Sequence, residues 1–90
     1  MLTLEQQWER RKRYLRVKTS PGMFSSERCA AFSANGQHYS LLADESFFQD
    51  ELMEVYLIEP VEDQIIVQLP ADTFTSGCRI RVPWEMLIEA

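Results

Sequence analysis

A single histidine and two cysteines in ninety residues leave little material for catalysis or metal ligation. His38 has no second histidine at ligand spacing, and Cys29 and Cys78 form no CxxC, so no zinc motif can be read. The three glycines stand apart in the chain, which excludes a glycine-rich phosphate loop. No stretch approaches the roughly 18 apolar residues of a membrane span. The opening MLTLEQQWERRKR has its charges after short apolar positions and does not read as a secretory signal. Two cysteines without an export signal fit a reducing compartment, so a cytoplasmic protein with both thiols free is expected. Carboxylates are plentiful, but no pair sits in a recognisable acid–base arrangement. No cofactor is implied, and the expectation is a non-enzymatic protein.

What the chain does have is a divided charge. Residues 1–18 hold six of its nine basic side chains against two acids, and the remaining residues hold three against twelve. A basic head thus precedes an acidic body, within a net charge of −5. The phosphate backbone supplies most of the affinity for nucleic acid, and an acidic body repels it, which argues against nucleic-acid binding there. Ninety residues make one domain, 1–90, with a thin core.

Periodicity predicts a basic helix over 3–17. Thr3 can cap it, with Gln6 as capping-box partner, and Leu4, Trp8 and Leu15 recur on one face. The run Lys18–Gly22 is expected to end it. From residue 27 to 90 the pattern is that of strands. Arg28–Ala34 and Gln37–Ala43 flank Asn35-Gly36, a strong hairpin signal, and a two-residue loop pairs Phe32 with Tyr39 and Ala30 with Leu41. Asp44–Glu51 reads as a polar connection, Leu52–Glu59 as a strand, and Pro60–Asp63 as a turn. Gln64–Leu69 is a further strand, Pro70–Gly77 a loop, Cys78–Val82 an alternating strand, and Trp84–Ile88 a helical turn or a last strand. Five or six short strands with turn signals predict a mainly β fold, a small antiparallel β-barrel with an N-terminal amphipathic α-helix.

In that hairpin Cys29 lies opposite Leu42, about 13 Å along the strand from His38, too far for a Cys–His dyad. Arg79 and Arg81 share one sheet face, either as cross-strand partners for the surplus acids or as a small cationic patch. The basic run ERRKRYLR either pairs with the acidic body or offers an anion site.

Two short motifs carry a family resemblance. RKRYLRV at Arg11–Val17 looks like the RRRYPRV of PilZ domains, small β-barrels that bind cyclic di-GMP, whose signature is RxxxR followed by [DN]xSxxG. Arg16 matches the second arginine, and Lys12 stands at the first. Asp44 and Ser46 match the second motif in DESFFQ, and Gln49 stands where the family has glycine. The resemblance implies a site for an anionic nucleotide made by Arg11, Lys12, Arg16, Asp44 and Ser46. The same strand pattern equally fits an SH3-like barrel.

The leading expectation is an interaction or adaptor module. It would bind a protein partner, or itself as a homo-oligomer, through Trp8 on the helix or through the aromatic-rich segment with Phe47, Phe48 and Tyr56. The alternative is a PilZ-like receptor for a cyclic dinucleotide or other anionic nucleotide. Attachment of the basic head to a membrane surface is a third.

Overall fold

The computed structural model describes residues 3–89, apart from the side chains of Glu5 and Trp8. A helix α1 (Leu4–Arg11) leads into β1 (Lys12–Arg16), β2 (Lys18–Pro21), β3 (Glu27–Ala34) and β4 (Gln37–Asp44). A 3-10 turn over Glu45–Phe47 follows, then β5 (Phe48–Gln49), β6 (Leu52–Val61), β7 (Gln64–Thr73) and β8 (Gly77–Pro83). A second 3-10 turn, Trp84–Met86, precedes β9 (Leu87–Glu89). The strands form one antiparallel sheet in the order β2-β3-β4-β7-β6-β1-β9, with β5 laid on β6 and β8 on β7. The protein is thus mainly β with a short N-terminal helix, and the sheet curls into a half-barrel. Among the described residues, no helix is long and apolar enough to cross a membrane.

The helix begins where the sequence predicts and ends early. Thr3 Oγ1 accepts from the Gln6 N–H at 3.2 Å, and Gln6 Oε1 accepts from the Thr3 N–H at 3.0 Å, closing the capping box. Lys12–Arg16, expected as helix, is instead a strand. It pairs with β6 on one side, Leu15 opposite Met53, and with β9 on the other, Leu15 opposite Leu87. Leu15 is completely buried there. Helix preference differs by about 0.7 kcal/mol or less between ordinary residues, and two flanking ladders plus a buried leucine outweigh it. The expected apolar stripe therefore dissolves: Leu15 belongs to the sheet, and Leu4 is 74% exposed. The side chain of Trp8, and with it the partner role expected of that residue, lies outside the described residues.

The β3–β4 hairpin has the register read from the sequence, with Phe32 opposite Tyr39, Ala30 opposite Leu41 and Cys29 opposite Leu42. Asn35 and Gly36 take φ of 53° and 79°, the left-handed pair that such a tight turn needs. Ala30, Phe32, Ala34, Tyr39 and Leu41 are buried, while Ala31, Ser33 and His38 are exposed on the opposite face. The core continues through Met53 and Val55 on β6, Ile65, Val67 and Leu69 on β7, and Ile80 and Val82 on β8. Each is the inward half of a period-2 alternation.

Four predicted breaks are strand or helical turn instead. Lys18–Pro21 forms β2 against β3, with Lys18 opposite Ala31; its proline sits at the strand's end, on a sheet edge where a missing N–H is tolerated. Pro60 and Val61 remain in the β6–β7 ladder, opposite Ile65 and Gln64, and the turn shrinks to Glu62 and Asp63. β7 runs on past Pro70 to Thr73 because the β7–β8 register shifts between Gln68 and Thr73, a bulge that absorbs the residue without an N–H. The connection Asp44–Glu51 contains the first 3-10 turn and β5.

Candidate functional site

Between β1 and β2 the chain changes partners within one residue. Arg16 pairs with Leu52 of β6, Lys18 pairs with Ala31 of β3, and buried Val17 between them donates its N–H to Glu51 O at 3.0 Å. Side chains alternate along an extended chain, so burying Val17 turns both Arg16 and Lys18 outward. They line a groove of about 560 Å³, together with Ser33, His38 and Ser40 of the hairpin and Met86 after β8. Phe32 and Tyr39 line it too, stacked with ring centroids 5.3 Å apart and planes at 30°. Ser33 and His38 face each other across the ladder, and Ser33 Oγ shares a hydrogen bond of 2.5 Å with His38 Nδ1.

The electrostatics of this groove run against those of the chain. No aspartate or glutamate among the described residues lines it. Among the described residues, neither Arg16 nor Lys18 has an ion-pair or hydrogen-bonding partner for its side chain. The groove therefore carries two uncompensated cations, a histidine and hydroxyl groups, beside the nearly buried edges of Phe32 and Tyr39. It can hold an anion by charge and a flat apolar group by contact.

Of the five residues implied by the PilZ resemblance, Arg16 alone lines this groove. Lys12 Nζ lies 3.6 Å from Glu54 Oε2, so this charge of the head is turned to the acidic body. Arg11 ends α1 and is exposed. Asp44 and Ser46 come together with each other: Asp44 Oδ2 accepts from the Ser46 N–H at 2.9 Å, and the Ser46 side chain first, then this N–H, hold the Asp44 carboxyl below its ordinary range. This turn closes the end of β4, but neither residue lines the groove. Gln49, in place of the family's glycine, sits on β5 opposite Leu52, and the left-handed residue is the next one, Asp50, with φ 56°.

The aromatic segment expected as a partner surface is half-buried. Phe48 packs on the core, Phe47 lies in the 3-10 turn, and Tyr56 donates its hydroxyl to Glu54 Oε1 at 2.8 Å. Burial first, then the bond to and charge of Glu54, push the Tyr56 phenol up to about 12. The fully exposed apolar side chains are elsewhere, notably Met23 at 79% and Phe24 at 71% in the β2–β3 loop. Ser33 and His38 fall on the outer hairpin face, and their cross-strand pairing follows from the Asn-Gly register. The groove itself had no local signal, because Arg16 and Lys18 reach it only through the bend at Val17.

Comparison of the chain with protein-family models, with curated proteins and with solved structures returns no match.

Proposed function

We propose that this domain is a non-enzymatic receptor module for a small anionic ligand of the nucleotide kind, bound in the groove at the β1–β2 bend. One observation carries the reading: a chain with fourteen acids and nine bases keeps a groove free of acids, with Arg16 and Lys18 unpaired in it. The guanidinium fork matches phosphate oxygens, and the lysine adds a point charge. Ala31 and Met86 give the groove apolar surface beside the cations, and Phe32 and Tyr39 reach it only at nearly buried edges. A volume of about 560 Å³ suits a ligand of that size. Arg16 is also the residue that matches the second arginine of the PilZ signature, which makes cyclic di-GMP the first ligand to try. The test is thermal unfolding of the protein with cyclic di-GMP, a second cyclic dinucleotide and a mononucleotide. A ligand at a hundredfold excess over its Kd adds about 2.7 kcal/mol, several degrees for a domain this small. The shift is expected to vanish in the R16A/K18A variant. The absence of a shift with any of the three would end this reading.

A second reading, docking to a protein partner or a second copy, is favoured by the β2–β3 loop. Glu27 holds the loop through Gly22 N–H to Glu27 O at 2.9 Å and Met23 N–H to Glu27 Oε1 at 2.9 Å, with Met23 and Phe24 facing solvent. A Cβ at Gly22 would approach Glu27 O to 2.8 Å, so this loop shape needs the glycine. Sedimentation over a concentration series, with an M23S/F24S control, checks self-association.

A further inference from the structure

A second cleft lies where the tip of the β3–β4 hairpin meets β6, β7 and β8. Its volume is about 640 Å³, and its lining includes Arg79, Arg81, Ile58, Ile66, Glu59 and Tyr39. The two arginines are on one outward face of β8, separated by buried Ile80. The residues opposite them on β7 are Gln68 and Ile66, so the register supplies no carboxylate to either. Among the described residues, neither arginine has an ion-pair partner. Arg79 is steered by one hydrogen bond, from Nε to Gln68 Oε1 at 3.3 Å, which leaves both terminal nitrogens of its guanidinium to a ligand.

The rest of the cleft narrows the chemistry. The β6–β7 register shifts between Leu57 and Glu59, and this irregularity sits at Ile58, beside the arginines in the lining. Ile58 and Ile66 give an apolar surface next to two guanidiniums spaced two residues apart along a strand, roughly 7 Å. Two long guanidinium side chains at that spacing can converge on one dianion, and each presents a fork that fits phosphate oxygens. Glu59 is the one carboxylate among the described lining residues and favours a hydroxyl or ammonium on the ligand.

We propose that this cleft is a second binding site, for a phosphate monoester carried on an apolar body, gripped by Arg79 and Arg81. It is distinct from the groove at Arg16; Tyr39 lines both. The shared chemistry is an aryl or alkyl phosphate, on a small molecule or on the side chain of another protein.

The experiment is a nuclear magnetic resonance titration of the full chain with phenyl phosphate, inorganic phosphate and a peptide containing phosphotyrosine. Phenyl phosphate is expected to saturate a site whose shifting amides include Ile66, Arg79 and Arg81, and to bind about tenfold or more tightly than inorganic phosphate. R79K/R81K keeps the charge, loses the forks and is expected to weaken binding by about tenfold or more, while R16A/K18A leaves it unchanged. Both pairs are exposed, so these variants fold. Tighter binding of the peptide than of phenyl phosphate assigns the site to a phosphorylated protein, and equal or weaker binding assigns it to a small molecule. The proposal is overturned by no saturable shift, by equal binding of inorganic and phenyl phosphate, or by loss of binding in R16A/K18A with R79K/R81K unaffected.

Discussion

Asn35 and Gln64 exchange side-chain hydrogen bonds in both directions: Asn35 Nδ2 donates to Gln64 Oε1 at 3.1 Å, and Gln64 Nε2 donates to Asn35 Oδ1 at 2.8 Å. Asn35 Nδ2 also donates to Arg81 O at 3.0 Å. The residue that makes the hairpin turn therefore also ties its tip to β7 and β8. These two duties separate by mutation. Asn35→Gly keeps the left-handed φ and removes the tie, with an expected loss of about 1 kcal/mol. Asn35→Ala removes the tie and strains the turn as well, for about 2–3 kcal/mol in total. Urea unfolding of both variants measures the difference, and equal losses would mean the turn conformation contributes nothing.

Leu15 and Leu4, placed on one helical stripe by periodicity, should behave oppositely. Leu15→Ala opens a cavity in the centre of the sheet and is expected to cost about 2–5 kcal/mol. Leu4→Ala removes a side chain that is 74% exposed and should stay within about 0.5 kcal/mol. Thermal unfolding of the pair distinguishes the strand from a continuous helix, in which both residues would pack on the same face.

Asp44 makes part of the acid stability. Its folded-state carboxyl titrates below 3.8 because the Ser46 side chain and N–H favour the charged form. As pH falls towards and below 3.8, the unfolded chain takes up a proton at this site before the folded one does, so the contribution is present above that pH and is lost as acid protonates the folded form. Asp44→Asn is expected to flatten the fall of Tm with acid while leaving the other carboxylates to titrate.

Tyr56 does the same at the alkaline end with the opposite proton order. Its phenol titrates at about 12 in the folded protein, against 10.0 ordinarily. Between those values the folded state keeps a proton that the unfolded state has released, so stability falls as pH rises through the window. Below pH 10 the contribution is constant. Ultraviolet difference spectra should show one tyrosine ionising late, and Tyr56→Phe should abolish that late step.

The sequence shows the hairpin because its evidence is local. Asn35-Gly36 fixes the turn, the turn fixes the register, and the register places Ser33 opposite His38 and Ala30 beside Leu41. Leu52–Glu59 and Cys78–Val82 are legible for the same reason, since strand formers and alternation within one strand need no knowledge of its partner. Lys12–Arg16 misleads because its helical spacing is real and its strand state is imposed from outside, by β6 and β9. Pro21 and Pro70 mislead as strand breakers because an edge strand and a bulge tolerate the missing N–H, and Pro60 keeps a ladder place opposite Ile65. Of the five motif residues Arg16 alone lines the groove, and the sequence sets Asp44 and Ser46 close enough to meet locally. It cannot show that Lys12 is turned to Glu54, nor that Lys18 joins Arg16, since both depend on which strands lie side by side.

The pairing of Arg13–Leu15 with Leu87–Glu89 has a consequence for the order of assembly. That ladder joins the first strand to the last, so its loop-closure entropy is the largest in the sheet, and it has to be met before the contact returns anything. The Asn-Gly hairpin needs only its own neighbours and can form while the chain is still emerging. β1 gains its second partner only once residues 87–89 have been synthesised. Met86 of the groove lining directly precedes that last strand, so an incomplete chain would hold a folded hairpin with an unfinished receptor.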